Sequence, residues 1–300
     1  MTRDSGAVLI NALVVVLAIA AVSTALLVRS EGARMRATDG RDSQQQALYL
    51  DAAELLVPDF LDEVVRDSIA HPEQTWGQSD LGFPIDRGRV GLRFTDLQGR
   101  LNVNWLTRSD DYVDGLFRAV FADAGVSQAF VVEIGAFVSA DGPPKGAYLA
   151  RRPSVLPRGG RITVLEDLLE LDGMTPEVLR LLKPYLAALP TDSRLNLNTA
   201  PDVIKRAALL PLPEELVTEV LAQDGPIGSI SELRRRTTEI LETEDLDHLP
   251  FERLTTSSNW FAADIVAETE GRVDRRRAIY RLEPVEEIPV IRVLGWAVFN

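Results

Sequence analysis

A run of 22 uncharged, almost wholly apolar residues at positions 7–28 constrains this chain more than anything else in it. An α-helix rises about 1.5 Å per residue, so the run matches the roughly 30 Å hydrocarbon core of a bilayer. Only Met1-Thr2-Arg3-Asp4-Ser5-Gly6 precedes it. A secretory signal carries its cleavage site beyond a shorter apolar core. Here the sharp junction, Gly6-Ala7, lies before the run, and cleavage there would leave the apolar helix as the mature N-terminus. Arg29, Arg34 and Arg36 follow the span, whereas Arg3 and the α-amino group precede it. The positive-inside rule alone would therefore put the C-terminal side in the cytoplasm.

The leader resembles the class III signal of type IV pilins and type II secretion pseudopilins. That resemblance implies a prepilin peptidase that cuts after Gly6 and methylation of Ala7. It also implies a periplasmic C-terminal body, against the charge count. The family usually has a glutamate four residues beyond the mature N-terminus, thought to neutralise the terminal amine of an adjacent subunit. Here Asn11 stands in that place. The K-class minor pseudopilin typically lacks this glutamate, which suits a subunit at a filament tip.

The rest of the chain is long enough for one large core or two modest ones. It has no cysteine, which removes disulfides, cysteine catalysis and thiolate metal sites. The formal charge of −13 repels nucleic-acid phosphates.

Past the span the helical pattern weakens at Thr38-Asp39-Gly40. It resumes over residues 44–69, where Leu48, Leu55, Leu56, Phe60, Leu61, Val64 and Val65 recur near helical spacing. Pro58 is a candidate kink. The whole N-terminal element would reach roughly 90 Å if continuous. Residues 77–84 read as loop. Val90, Leu92 and Phe94 alternate with Gly91, Arg93 and Thr95, and after a turn at Asp96-Leu97-Gln98-Gly99 the segment 100–105 reads as the second strand of a hairpin. Alternation returns at Phe261, Ala263, Ile265 and Ala267, and beyond a Glu270-Gly271 turn at Ala278, Tyr280 and Leu282. Residues 290–299 form a further strand candidate.

Between these strands residues 109–250 are mostly helical, with segments at 116–121, 130–137, 164–171, 176–189, 201–210, 214–221 and 230–241. Thr175 before Pro176, Thr199 before Asp202 and Ser229 before Glu232 are N-cap signals. The fold expected is α+β: a transmembrane and stalk helix on a small antiparallel sheet, with a large all-α domain inserted between strands. The boundaries are 1–6 for the leader, 7–36 for the membrane and stalk helix, 37–108 for the first part of the α+β domain, 109–250 for the helical insert and 251–300 for the last strands.

One stretch carries a specific likeness. Glu170-Leu171-Asp172-Gly173-Met174, Pro184-Tyr185 with Leu189-Pro190, and Asn196-Leu197-Asn198-Thr199-Ala200-Pro201 resemble phrases of the K-class minor pseudopilin of type II secretion. The order of leader, stalk, strands, insert and Ser-rich element (Thr255-Thr256-Ser257-Ser258) matches as well. The resemblance implies a SAM-like or helix-hairpin-helix-like insert and an inner-membrane, single-pass protein with its bulk in the periplasm. It also implies a role at the pseudopilus tip, nucleating or capping the filament. The implied partners are other minor pseudopilins, the major pseudopilin, inner-membrane secretion components and the prepilin peptidase. Family members can bind calcium. Where they carry an acidic run, this chain has Ala136-Phe137-Val138-Ser139-Ala140-Asp141, with one carboxylate.

Other readings of these residues are a minor pilin of a type IV pilus and a membrane-anchored helix-hairpin-helix DNA-binding protein. Such hairpins offer backbone N–H groups to a phosphate. Leu210-Pro211-Leu212-Pro213-Glu214-Glu215 instead has two prolines without donors and two carboxylates, so no nucleic-acid partner is expected. His71 and His248 fall in no metal-ligand spacing. Glu239, Glu242, Glu244 and Asp245 read as a solvated face, and no enzyme activity is expected. Arg234-Arg235-Arg236 and Arg275-Arg276-Arg277 read as solvated surface, or less readily as contacts for acidic subunits.

Overall fold

The computed structural model describes residues 4–78, 81–108, 110–150, 154, 157, 159–210, 212–222, 225–240, 250–283 and 290–299. In chain order the elements begin with helices α1 (Asp4–Leu55) and α2 (Val57–Asp67), then strands β1 (Leu81–Ile85), β2 (Gly88–Asp96) and β3 (Leu101–Asn102). Helices α3 (Asp111–Asp123), α4 (Ala129–Val138), α5 (Lys145–Leu149) and α6 (Pro176–Leu182) follow, and then strands β4 (Leu186–Ala187) and β5 (Leu195–Asn196). Helices α7 (Asp202–Leu209), α8 (Glu214–Leu221) and α9 (Ile230–Ile240) precede strands β6 (Leu254–Thr255), β7 (Trp260–Thr269), β8 (Arg272–Glu283) and β9 (Val290–Phe299).

Helix α1 runs 52 residues, about 78 Å, straight through Thr38-Asp39-Gly40, where the sequence pattern had weakened. It ends beside Pro58, which has no N–H and whose ring excludes the carbonyl four residues back. Leu56 takes up the break with a short bond from its N–H to the Ala53 oxygen, 3.1 Å. Helix α2 then continues the line with Pro58 in its first turn. Leu50, Ala53, Val57, Leu61 and Val64 make one buried stripe along both helices.

That stripe lies on a five-stranded antiparallel sheet in the order β1-β2-β7-β8-β9. Strand alternation turns Val90, Leu92 and Phe94 of β2, Phe261, Ala263, Ile265 and Ala267 of β7, and Ala278, Tyr280 and Leu282 of β8 toward the helix. Phe60 meets the Phe94 ring at 5.7 Å, and Trp76 stands edge-on to Phe261 at 5.1 Å. The β7–β8 hairpin turns at Glu270-Gly271 as its sequence predicts, with Gly271 at φ 83°.

The first hairpin is not the predicted one. Strand β2 pairs with β1, across a turn at Asp86-Arg87, and with β7. Part of the expected 77–84 loop is therefore strand. Beyond Gly99 the chain leaves this sheet, and Leu101-Asn102 pairs in parallel with Leu186-Ala187 instead. The expected helix over 176–189 stops at Leu182 to supply that pairing.

Between β2 and β7 a second core forms from two similar consecutive units. One opens with Leu101-Asn102-Val103-Asn104, runs through α3 and α4, and closes by the β3–β4 bridge. The other opens with Leu195-Asn196-Leu197-Asn198, runs through α7 and α8, and closes by the parallel β5–β6 bridge. Helix α3 is capped by the Asp110 carboxylate on the Val113 N–H, α6 by Thr175 on the Val178 N–H, and α9 by Ser229 on the Glu232 N–H.

If the helix stripe on the sheet holds this body together, Leu61→Ala should cost about 2–5 kcal/mol in chemical unfolding. Leu48→Ala, on the exposed side of α1, should change stability by no more than about 0.5 kcal/mol. Equal losses would show that the stripe is not the seam.

Candidate assembly site

The membrane-length helix is bare. From Ile10 to Val28 its large apolar side chains are between 56% and 66% exposed, and nothing among the described residues packs on them. It is the one helix among the described residues long and apolar enough to cross a membrane, and it fits a single-pass anchor. Gly6 and Ala7 lie within the first turns of α1, so the junction read from the sequence is on the helix itself. Asn11 is exposed on the apolar surface, with Arg29, Arg34 and Arg36 exposed beyond the run.

Where α1 meets the sheet, its apolar stripe is flanked by polar contacts. Gln46 donates to Thr269. Arg272 donates to the Ser43 hydroxyl at 2.8 Å. Arg276 donates from one Nη1 to Asp51 at 2.7 Å and to Glu54 at 2.9 Å. The Arg276 side chain is 12% exposed and that of Glu54 9%, so this is a nearly dry bridge. Burial works against the Arg276 charge, but the two carboxylates outweigh it and raise its pKa. Burial, and then the Glu54 charge, raise the Tyr280 hydroxyl beside it. The solvated reading of the 275–277 run is thus corrected at its middle residue. Alternation sends Arg276 inward while its neighbours face away.

The helical units are fixed by asparagines. Asn104 accepts from the Ile162 N–H at 2.9 Å and donates to the Ile162 oxygen at 2.8 Å. Asn198 does the same to Ile227, at 2.8 Å and 3.1 Å. The first asparagine of each pair accepts from the backbone N–H of the second, at 3.1 Å and 3.0 Å. Each amide thus completes a strand-like pairing for backbone groups that would otherwise lack a partner.

Asp96, at the end of β2, ties the second of these units to the sheet. It accepts from the Ser258 hydroxyl at 2.6 Å, the Thr199 hydroxyl at 2.6 Å, Asn196 Nδ2 at 2.9 Å and the Gln98 N–H at 2.8 Å. Burial pushes its carboxyl up, and those four donors pull it back. Gly99 is required here, because a Cβ would stand 2.6 Å from the Thr199 hydroxyl. Thr199 is therefore not the cap the sequence suggested: its hydroxyl is turned to Asp96, and Pro201 stands at the start of α7.

Other sequence candidates disperse. In the 136–141 run Phe137 and Val138 are buried, and Asp141 is an exposed carboxylate after α4. Calcium takes six to eight oxygen ligands, and this run does not supply them. Among the described residues no cluster of three or more His, Cys, Asp or Glu could hold a metal ion. Arg234 lies over the Phe251 ring at 5.7 Å. His248, Glu242, Glu244, Asp245 and Pro211 lie outside the described residues. The paired Leu-Asn-x-Asn phrases were the available signal for the asparagine clamps, and only the second had been singled out.

Comparison with known proteins agrees with this geometry. A family model described as type II secretion system (T2SS), protein K, matches residues 99–191, a span that contains the whole first helical unit. Type II secretion system protein K of Pectobacterium carotovorum subsp. carotovorum is 25% identical over 220 residues, 66% of this chain and 67% of that protein. The Aeromonas hydrophila protein of that name is 28% identical over 199 residues, 58% of this chain and 59% of its own length. The one from Klebsiella pneumoniae is 28% identical over 240 residues, 71% and 72% of the two chains. A chain in the crystal structure of the GspK-GspI-GspJ complex from the enterotoxigenic Escherichia coli type 2 secretion system superposes with a TM-score of 0.73 at 18% identity. It covers 88% of this chain and 99% of its own. The likeness to type II secretion protein K read from the sequence thus holds in sequence and in fold.

Asp96→Ala removes the acceptor shared by the Ser258 and Thr199 hydroxyls, the Gln98 N–H and Asn196, of which Asn196 keeps the Ala70 oxygen, and should destabilise the protein by about 1–3 kcal/mol. Chemical unfolding followed by tryptophan fluorescence would measure it. A loss below about 1 kcal/mol would show that Asp96 does not tie the second unit to the sheet.

Proposed function

We propose that this protein, a relative of type II secretion system protein K, is a minor pseudopilin placed at the tip of a pseudopilus. The observation that carries the reading is the bare, membrane-length apolar helix continuing into a stalk whose far half is one wall of a folded domain. Such a helix needs a lipid or a bundle of like helices around it, and a filament subunit uses both in turn. In this reading Gly6-Ala7 is cut by a prepilin peptidase, Ala7 is methylated, and the body lies in the periplasm while the helix waits in the inner membrane.

The solved relative was crystallised as a complex with GspI and GspJ. By analogy the partners here are other minor pseudopilins, with the major pseudopilin and inner-membrane secretion components as further contacts. The role is structural, with no catalysis and no nucleic acid. Residues 109–250 act as a bulky insert in the pilin-like domain. Extra mass on every subunit would block close helical stacking, whereas at the tip it caps. Calcium, if bound, is held by a ligand set other than the 136–141 run.

Asn11 supports the tip position. A terminal ammonium inside an apolar bundle is costly unless a carboxylate meets it. Asn offers hydrogen bonds but no charge, so this subunit serves where none sits above it.

Mass spectrometry of the membrane-extracted protein should find Ala7 at the N-terminus, with a methyl group. An intact Met1, or a start well past Val28, would overturn the processing. In a secretion assay Asn11→Leu should retain export, because a tip subunit needs no carboxylate there. Finding the protein at regular intervals along purified filaments would overturn the tip assignment.

A further inference from the structure

Helices α1 and α2 cover one face of the five-stranded sheet. On the other face, alternation sets Arg89 and Arg93 of β2, Asp264, Val266 and Glu268 of β7, and Arg275 and Arg277 of β8 side by side. Cross-strand register places Arg93 opposite Asp264 and Asp264 opposite Arg277. It also places Gly91 opposite Val266, Val266 opposite Arg275, and Arg89 opposite Glu268. At one end Leu97, Ala187 and Leu189 of the connecting segments cover Ala262, and Trp260 and Ile279 pack there too. No described segment covers the other end, and Arg89, Arg93 and Arg275 are exposed on it.

Four arginines thus meet two carboxylates, in a chain whose formal charge is −13. Of the four, Arg277 reaches Asp264 at 3.5 Å, and Arg89 is engaged as well. Just beyond, Arg100 is held among backbone groups, donating to the Lys183 oxygen at 2.9 Å. Its pKa falls to about 10, through burial and then the like charge of Arg277. The arginines border a shallow groove of about 520 Å³ that also includes Gly91 and Val266. Gly82 stands opposite Gly91, so this part of the floor carries no side chain. A Cβ at Gly82 would meet Arg89 Nε and Nη2 at 3.0 Å, so the Arg89 guanidinium lies across the glycine backbone.

We propose that this open face is a docking surface for a carboxylate-bearing segment of another protein, laid over Arg93 and Arg275. Guanidinium groups pair with carboxylates through two parallel bonds. Arg93 and Arg275 are two strands and two residues apart, roughly 12 Å at ~4.8 Å per strand and ~3.4 Å per residue, a reach that acidic side chains of an extended segment can span. Asp264 and Glu268 select a protein over a polyphosphate, because they repel a dense row of phosphates yet accept a lysine or arginine interleaved with the acids. The surface stands on the sheet alone and does not depend on the pseudopilin reading.

The test uses the full chain in detergent micelles and a fluorescent peptide of alternating Glu and Ser, read by anisotropy at about 50 mM salt. Binding is expected. It should weaken by at least tenfold in Arg93→Glu/Arg275→Glu, and Arg93→Gln/Arg275→Gln should fall between that variant and the native chain. Arg118→Glu/Arg180→Glu, reversed on exposed positions of α3 and α6, should bind as the native chain does. No binding to the native chain would overturn the proposal. So would equal loss in both reversed variants, or binding to vesicles of anionic phospholipid that the peptide does not compete away.

Discussion

One helix pressed on one sheet face carries the rest of this molecule. The contact works because the two surfaces were made to approach closely. Strand β7 presents Ala263 and Ala267 to the stripe, while bulk comes from Leu50, Val57, Leu61 and Val64 on the helix and from Phe94, Phe261 and Tyr280 on the sheet. Small against large is how interiors reach native packing density. At its N-terminal end the apolar stripe gives way to charge, and Arg276 bridges Asp51 and Glu54 there. Breaking a nearly buried pair strands a charge, so such a bridge fixes geometry more firmly than it adds stability. The helix is therefore held in one rotational setting, which decides which side of its free half faces a neighbour.

The helical region repeats one device twice. A Leu-Asn-x-Asn phrase makes a two-residue parallel bridge, and its second asparagine grips the backbone of an isoleucine. A bridge of two residues would not survive alone, since isolated strands of that length bury too little. The amide supplies the missing pairing from a side chain, and helices α3, α4, α7 and α8 bury the leucines around it. In the second unit the first asparagine also reaches Asp96, and donates to the Ala70 oxygen at 3.1 Å. One residue thus joins the end of the stalk, the end of β2 and the start of the second unit.

Much of this was legible in the sequence because it follows from period and length. Residues 7–28 read as a membrane-length helix, and alternation around Glu270-Gly271 specified β7 and β8. Periodicity found α3, α4, α8 and α9. The neighbours of a strand were another matter. Alternation in Val90, Leu92 and Phe94 tells which face is buried but not which strand lies beside it, so the nearest downstream segment was paired wrongly. Strands of two residues have no period to read. Thr199 followed by Asp202 looks like a cap by local spacing, yet its hydroxyl serves a carboxylate 103 residues away in sequence. Arg276 looked solvated because its run was charged, and only the pleat separates it from Arg275 and Arg277.

The free half of α1 gives these fastenings their purpose. From Ile10 to about Gln45 the helix has no apolar contact with the body among the described residues, a lever of roughly 54 Å at 1.5 Å per residue. Any lateral force at its membrane end is multiplied at the first points of support, which are Ser43 on Arg272 and Gln46 on Thr269. Gly40, among the weakest residues for a helix interior, stands three positions before that support, in open space. The helix is thus least self-sustaining just where the body begins to hold it and most firmly bridged two turns later, at Asp51 and Glu54. The fastenings thus follow one another along the helix, polar contacts first and the buried stripe after them.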